Sequence, residues 1–166
     1  SLPSSYLPSN SSITLKQAKE KWKQSIKEFK KTNENYLVIG AGFLGSRIIE
    51  SLLERGENVT IFDFSSSNCW VNDKRVKYIQ GDITKLNEVN EACKNIQTVF
   101  LTAAVINFMD NLPHQYEASY RVNVTGTENV IKACQNNNVK YLIQTSTLHV
   151  SVQNPYHNTN SIWSLF

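Results

Sequence analysis

The sequence of 166 residues has no run of about 18 consecutive apolar residues, the length that a membrane-spanning helix requires. It has only three cysteines, Cys69, Cys93 and Cys134, and no Cys-x-x-Cys pair, which argues against a disulfide scaffold or a cysteine-based metal site. We expect these thiols to be reduced and buried. Because 40% of the residues are hydrophobic, a disordered or collagen-like chain is also excluded, and the length suits one domain.

The positive charge is concentrated near the N-terminus. Residues 1–35 contain seven lysines against three glutamates, whereas residues 36–166 contain ten basic and eleven acidic residues. The net charge of +3 therefore belongs to the first segment, and we expect no nucleic-acid-binding face on the remainder. Because His114, His149 and His157 lack the spacing of metal ligands, we also expect no metal site.

The N-terminal segment has two parts. Residues 1–13 are rich in serine and proline, which predicts a disordered tail. Residues 14–35 contain a predicted basic amphipathic helix, because apolar side chains recur every three or four positions from Leu15 to Phe29. This helix, over residues 14–31, has four open interpretations: packing on its own domain, docking on a partner protein, contact with a membrane surface, or a remnant of a targeting sequence. Since the first residue is not Met, we expect a processed, tagged or partial chain.

From residue 36 onward, short apolar strands alternate with helical patterns. The predicted strands are Tyr36–Ile39, Val59–Phe62, Val76–Ile79, Val99–Ala103 and Val139–Gln144. The predicted helices are Phe43–Arg55, Leu86–Cys93 and His114–Asn137. This alternation predicts an α/β fold with a doubly wound parallel sheet of about five strands, a Rossmann domain over residues 36–150. Residues 151–166 show no periodicity and are predicted to be an irregular tail.

A Gly-x-Gly-x-x-Gly motif, formed by Gly40, Gly42 and Gly45, lies between the first strand and the first helix. In this context the glycines permit a tight turn, close approach of a pyrophosphate and close packing of helix on strand. The N-terminus of the helix would present free N–H groups to the phosphates. Asp63 lies 18 residues beyond Gly45, where a carboxylate accepts hydrogen bonds from the adenosine ribose and favours NAD over NADP. The alternative is a glycine-rich turn that binds nothing.

Several segments together resemble the extended short-chain dehydrogenases, and most closely their 3β-hydroxysteroid dehydrogenase and sterol-4-carboxylate 3-dehydrogenase branch. The segments are YLVIGAGFLGSRIIESLLERGENVTIFD, YIQGDIT, VFLTAAVINF, YRVNVTGTENVIKAC and KYLIQTSTLHV, in that order. They cover about residues 36–150. The resemblance implies oxidation of a ring hydroxyl of a sterol-like substrate, with NAD as the cofactor and NADP as the less favoured one.

The resemblance also implies roles for particular residues. Thr147 corresponds to the catalytic hydroxyl, with Ser146 as a weaker candidate, and Asn123 to the asparagine that holds a relay water. The implied cofactor-binding residues are Gly40, Gly42, Phe43, Leu44, Gly45, Asp63, Asp82, Ile83, Ala103 and Ala104. Among them, Asp82 would accept from the adenine amino group and Ile83 would cover the face of the ring, although chemistry alone does not distinguish this pair from an ordinary acidic turn.

The family's Tyr-x-x-x-Lys base has no counterpart in this sequence, because no lysine here has a tyrosine four positions before it. We expect that pair beyond Phe166 and expect the chain as given to bind cofactor without turning over a sterol. The leading hypothesis is the NAD-binding portion of a dehydrogenase. The alternatives are a catalytically silent structural or assembly subunit and a cofactor sensor. A cytoplasmic or endoplasmic-reticulum membrane-surface location is expected from the family, with a mitochondrial one open.

Overall fold

The computed structural model describes residues 31–66, 70, 72–105 and 113–146, the last range with backbone only for 113–116. It also describes Thr14, Lys16, Gln17, Glu20, Lys21 and Gln24. Within these ranges the chain forms a five-stranded sheet and the helices that flank it.

The sheet is parallel throughout. Its strands are β1 (Asn35–Ile39), β2 (Asn58–Asp63), β3 (Val76–Gln80), β4 (Thr98–Leu101) and β5 (Tyr141–Gln144). Their order across the sheet is β3-β2-β1-β4-β5, so the chain first moves outward from β1 and then crosses back to the other side. This reversal creates a crevice at the carboxyl ends of β1 and β4, where open α/β sheets bind their ligands. The Rossmann-like architecture predicted from the sequence is thus confirmed.

Two apolar layers bury the sheet on both faces, because successive side chains of a strand point to opposite sides. Leu37 and Ile39 pack on one side, together with Val99 and Leu101 of the neighbouring strand. Tyr36 and Val38 face the other side. The sequence of each inner strand is therefore an almost continuous apolar run, the pattern on which the strand predictions rested.

The helices are α1 (Phe43–Glu54), α2 (Leu86–Ala92), α3 (Pro113–Tyr120) and α4 (Gly126–Asn136), with a π-helical segment at Arg121–Thr125. Helix α1 packs on one face of the sheet through Ile49 and Leu52. Helices α2 and α4 cover the other face through Val89 and Val130.

The long helix predicted for His114–Asn137 is present as one continuous helical run, in which the π-helical segment changes the hydrogen-bond pattern between α3 and α4. At this point the Asn123 side chain is held by the backbone of Val105, and the Thr127 hydroxyl donates to the Asn123 carbonyl at 2.7 Å. These contacts satisfy polar groups where the regular hydrogen-bond pattern changes. Among the described residues, no helix is long and apolar enough to cross a bilayer.

Cys93 and Cys134 are free and buried, as expected, whereas Cys69 lies outside the described residues. Hydrogen bonding to Cys134, together with burial, raises the pKa of the Cys93 thiol. Cys93 is therefore held in its protonated, unreactive form.

The N-terminal segment is described only in part. Thr14 and Gln17 form a reciprocal pair. The backbone N–H of Gln17 donates to the Thr14 hydroxyl at 3.4 Å, and the backbone N–H of Thr14 donates to the side-chain oxygen of Gln17 at 3.0 Å. This pairing is the capping arrangement of a helix start. The apolar positions of the predicted amphipathic helix lie outside the described residues, as do the predicted tails 1–13 and 151–166. The helix and both tails therefore stay predictions.

Candidate functional site

Gly40 lies at the carboxyl end of β1 and has a φ of +96°, a conformation that glycine adopts readily. Its N–H donates to the Phe62 carbonyl at 2.9 Å, which joins the turn to β2. A Cβ on Gly40 would lie 2.6 Å from the backbone nitrogen of Ala103. The first glycine of the motif is therefore required for both its backbone conformation and its contact with the segment after β4.

Gly42 and Gly45 differ sharply in their surroundings. A Cβ on Gly45 would overlap the carbonyl oxygen of Gly40, so this glycine permits α1 to start directly against the turn. A Cβ on Gly42 would meet nothing within 4 Å. Space is thus open beside the backbone of Gly42, at the N-terminus of α1, where an anionic group is favoured by the helix dipole.

Thr102 fastens this turn to β4, a role that the sequence analysis missed. Its hydroxyl lies 2.7 Å from the carbonyl oxygen of Gly40 and 3.1 Å from that of Ile39. The backbone N–H groups of Thr102 and Ala103 both donate to the Ile39 carbonyl at 2.9 Å. A hydroxyl residue directly after an apolar strand and before two alanines was the only available signal for this contact.

Asp63 ends β2 and faces the glycine turn. One carboxylate oxygen accepts from the Ala41 N–H at 2.6 Å, and the other accepts from the Ser65 N–H at 2.8 Å. These two bonds hold the carboxylate in one orientation. Because each carboxylate oxygen has two lone pairs, acceptor capacity remains for hydroxyl groups in the cleft.

Asp82 follows β3 and is tied to its own loop. Its Oδ1 accepts from the backbone N–H of Thr84 at 2.9 Å and from the Thr84 hydroxyl at 2.8 Å, while its N–H donates to Glu88 at 2.8 Å. Burial alone would raise the pKa of Asp82, but these Thr84 bonds and the charges of Lys85 and Arg121 lower it overall. Asp82 is therefore an ionised acceptor at neutral pH.

Ile83 packs between the cleft and α4. The side-chain amide of buried Asn129 donates to the Ile83 carbonyl at 3.1 Å. A Cβ on Gly126 would lie 2.9 Å from the Ile83 side chain, so the first residue of α4 has to be small. Helix α4 thus holds the loop after β3 in position.

Asn123 uses its side chain to hold the segment after β4. Its amide nitrogen donates to the Val105 carbonyl at 2.8 Å, and its amide oxygen accepts from the Val105 N–H at 2.8 Å. Asn123 does not itself line the cleft. Thr147 lies outside the described residues, and Ser146 is exposed at the end of β5.

These elements enclose a cleft with a volume of about 500 Å³ at the carboxyl edge of the sheet. Seven of the ten proposed cofactor residues line it: Gly40, Gly42, Asp63, Asp82, Ile83, Ala103 and Ala104. Gly45 lies beneath the turn, and the Phe43 side chain is 86% exposed, so Phe43 and Leu44 face away from the cleft. The backbone of these two residues forms the start of α1.

The cleft also contains residues that the sequence analysis did not identify. Arg121 and Val122 reach it from the π-helical segment, Ala118 from α3, and Thr84 from the loop after β3. A groove of this size with glycine backbone at one end and carboxylates along one wall can hold a nucleotide-sized ligand. Among the described residues, no group of three or more His, Cys, Asp or Glu side chains is placed to hold a metal ion.

Comparison with known proteins identifies related sequences. Residues 37–161 match the model of the 3-beta hydroxysteroid dehydrogenase/isomerase family. The sterol-4-alpha-carboxylate 3-dehydrogenase, decarboxylating, of Mus musculus is 34% identical over 74% of this chain and 32% of its own length. The 3 beta-hydroxysteroid dehydrogenase/Delta 5-->4-isomerase of Mycobacterium tuberculosis is 37% identical over 65% of this chain and 30% of its own length. The chain thus spans about a third of the length of these curated relatives.

Solved structures agree on the fold. Pen from Bacillus thuringiensis has a TM-score of 0.63 and 31% identity, covering 72% of this chain and 39% of its own. MoeE5, solved in complex with UDP-glucose and NAD, has a TM-score of 0.61 and 29% identity over 73% of this chain and 39% of its own. Uronate dehydrogenase from Agrobacterium tumefaciens, 21% identical with a TM-score of 0.61 over 70% of this chain and 42% of its own, supports the fold alone. The chain belongs to the 3-beta hydroxysteroid dehydrogenase/isomerase family and has the Rossmann fold of the short-chain dehydrogenases.

Proposed function

We propose that the chain is the dinucleotide-binding portion of an oxidoreductase that transfers a hydride from a sterol carbinol to NAD. The observation that carries this proposal is the open space beside Gly42 at the start of α1, in a cleft that also contains Asp63. Family membership supports the same function, since the relatives are named as hydroxysteroid and sterol dehydrogenases.

The residues that line the cleft fit the adenosine and pyrophosphate parts of a dinucleotide. The pyrophosphate would lie on the backbone of Gly42 and on the free N–H groups at the start of α1. Asp63 would accept from the adenosine ribose hydroxyls, and its negative charge would repel a 2′-phosphate, which favours NAD over NADP. Asp82 and Ile83 would lie at the adenine, while the small side chains of Ala103 and Ala104 leave room along the inner wall. The lining of the cleft thus supports each part of the cofactor assignment.

The chemistry removes two hydrogens from a secondary alcohol. When bound, the nicotinamide ring supplies the acceptor for the hydride that leaves the carbinol carbon, while the hydroxyl proton passes to a base. We propose that Thr147 hydrogen-bonds the reacting hydroxyl and that Asn123 positions the relay water. The clamp between Asn123 and Val105 fixes this side chain against the loop after β4 and outside the cleft lining, so Asn123 would reach a relay water through the second N–H of its side-chain amide. We assign the base to none of the 166 residues.

The names of the relatives support a proposal for the substrate. Because they include sterol-4-alpha-carboxylate 3-dehydrogenases, we propose a sterol-like substrate for the complete protein. We further propose a location in the cytoplasm or at the endoplasmic-reticulum membrane surface, with residues 14–31 as the docking segment. Removing residues 1–31 should then release the protein from membranes in a cell fractionation, and unchanged sedimentation would contradict docking through this segment.

Direct binding tests the cofactor proposal. Titration of the full chain with NAD, followed by calorimetry, should give a saturable one-to-one complex. Gly42→Val should abolish that binding while the chain stays folded, because the new side chain enters open space that the pyrophosphate would occupy. A small fall in melting temperature is expected, since valine is a poorer N-cap of α1 than glycine. Glu54→Val, at an exposed position in the last turn of α1, is the matched control and should bind NAD normally. Undiminished NAD binding by Gly42→Val would contradict the placement of the phosphates.

Cofactor preference is tested at Asp63. The full chain should bind NAD more tightly than NADP, and Asp63→Asn should narrow the difference because it removes the charge that repels the 2′-phosphate. The asparagine side chain has a single acceptor oxygen and can keep only one of the bonds from the Ala41 and Ser65 N–H groups, so the melting temperature of the variant is measured alongside its affinities. If the ratio of the NAD affinity to the NADP affinity is the same before and after the substitution, Asp63 does not face the ribose.

A further inference from the structure

One face of the sheet is covered only in part. Helix α1 packs over β1 and β2 on this face, through Ile49 and Leu52. Beyond β1, the neighbouring strands present apolar side chains that no helix in the described ranges covers. Tyr141 and Ile143 of β5 are 60% and 46% exposed, and Phe100 of β4 is half-buried. These three side chains form the β4–β5 face, and adjacent exposed apolar side chains of this kind mark an interaction surface.

The strand register places the three side chains on the same side as α1. Ile143 pairs with Phe100 between the parallel strands β4 and β5. Leu142 packs against the core on the opposite side, so its neighbours Tyr141 and Ile143 point away from that core. The ring of Phe100 stacks on that of Tyr36 with centroids 6.4 Å apart. The β4–β5 face is therefore continuous with the core beneath α1.

The N-terminal segment reaches the sheet beside this face. Glu57, directly before β2, is fully buried, and its Oε1 accepts from the Thr32 N–H at 2.9 Å and from the Thr32 hydroxyl at 3.1 Å. The same hydroxyl lies 2.9 Å from the hydroxyl of Tyr36, whose ring is on the α1 side. Glu34 forms an ion pair with Lys140, directly before β5, at 3.9 Å. These contacts fix the point at which the N-terminal segment joins the amino ends of the strands.

The dimensions of a helix and a sheet leave one place for this segment. A helix over residues 14–31 would be about 27 Å long. It would end beside the end of α1, because a Cβ on Gly56 would lie 3.9 Å from the Lys31 side chain. Packed helices lie about 8–10 Å apart and strands about 4.8 Å apart, so a helix beside α1 lies about two strands away. In the described sheet only β3 lies beyond β2, whereas both β4 and β5 lie beyond β1.

We propose that residues 14–31 fold back on the β4–β5 face as an amphipathic helix beside α1. Its apolar stripe covers the face with the side chains of Leu15, Ala18, Trp22, Ile26 and Phe29. The described residues before Lys31 support this orientation, since all of them are polar and exposed: Thr14, Lys16, Gln17, Glu20, Lys21 and Gln24. With the stripe turned inward, the lysines face outward, and the membrane docking proposed above rests on their charge.

Hydrogen exchange of the backbone amides of residues 14–31, measured in the full chain without lipid, tests the proposal. These amides should be protected, and Ile143→Thr should raise their exchange rates at least about tenfold, because the face loses apolar contact with the helix. Threonine suits a strand, so β5 should persist. The matched control is Lys77→Thr on the opposite edge strand, whose exposed side chain points to the other face of the sheet. It should leave the exchange of residues 14–31 unchanged.

A second variant acts from the helix side and does not alter the sheet. Trp22→Gln should raise the same exchange rates at least about tenfold, whereas Lys21→Gln, on the exposed polar side, should not. The double variant Trp22→Gln with Ile143→Thr should exchange little faster than either single variant, because both remove the same contact. The amides of α1 should keep their protection in every variant, which shows that the domain stays folded.

Three results would overturn the proposal. Rapid exchange of residues 14–31 in the unaltered chain, with protection only after vesicles of phosphatidylcholine and phosphatidylserine are added, would place the apolar stripe in the membrane. Protection that disappears on dilution, as a dimer dissociates in sedimentation, would make a second copy of the chain the occupant. Protection that persists in Ile143→Thr would show that the helix packs elsewhere on the domain.

Discussion

Replacing Thr102 by valine isolates the hydroxyl that joins the glycine turn to β4. Valine has nearly the same shape, so the packing of the γ-methyl group persists while the O–H donor is lost. The hydroxyl has one hydrogen to donate, and the 2.7 Å distance to the Gly40 carbonyl is shorter than the 3.1 Å distance to the Ile39 carbonyl. Gly40 therefore loses a partner, whereas Ile39 keeps the backbone N–H groups of Thr102 and Ala103.

The expected loss follows from those contacts. A neutral hydrogen bond contributes about 1 kcal/mol, and a buried carbonyl left without its partner costs about 1–3 kcal/mol. Because Gly40 is buried, we expect Thr102→Val to lower the free energy of unfolding by about 1–2 kcal/mol. For a chain of this size the melting temperature should fall by about 2–8 °C. The affinity for NAD should also fall severalfold, because the loosened turn has to be ordered on binding.

Chemical denaturation and NAD titration of the same samples provide the measurement. Thr102→Ser keeps the hydroxyl and loses the methyl group, so it should retain more of the NAD affinity than Thr102→Val. If Thr102→Val unfolds at the same denaturant concentration as the unaltered chain and binds NAD equally well, the hydroxyl does not hold the turn and the reasoning is refuted.

Three further predictions concern other contacts. Gly45→Ala should lower the free energy of unfolding by more than about 2 kcal/mol in chemical denaturation, because its Cβ overlaps a backbone carbonyl of the turn. Cys93 should resist alkylation in the folded chain at pH 8 and react in denaturant, because its hydrogen bond to Cys134 and burial raise its pKa; labelling of the folded chain would contradict this. The hydrogen bond from Arg75 lowers the pKa of Asp73 to about 2, so an NMR titration should return it toward 3.8 in Arg75→Gln. The stability from that pair should be present above pH 4 and lost as the pH falls toward 2.

The strand and helix pattern was accessible from the sequence because it depends on local regularities. The strand β1 was predicted one residue short at its start, and β3 one residue short at its end. The prediction for β5 began two residues early, at Val139, whose N–H instead donates to the Cys134 carbonyl at the end of α4. That bond caps a helix, and hydrophobicity alone does not distinguish a helix cap from the start of a strand.

The π-helical segment was not predictable in the same way. Helical periodicity over the predicted His114–Asn137 helix averages many positions, so a local change of hydrogen-bond pattern leaves no mark on it. The contact that accompanies the change joins Asn123 to Val105, which lies 18 residues earlier in the chain. Only the packing of α3 and α4 beside the segment after β4 brings these two residues together.

The sequence by itself determined the α/β alternation, the glycine turn and the acid that ends β2, because each depends on residues close together in the chain. The tertiary structure decided which side chains meet across the cleft. The strand order places Thr102 against Gly40, 62 residues apart in the chain, and the packing of the helices places Asn123 against Val105, 18 residues earlier. Such pairs carry no mark in the sequence, because their proximity is set by the packing of whole strands and helices on the sheet rather than by the spacing of the residues themselves.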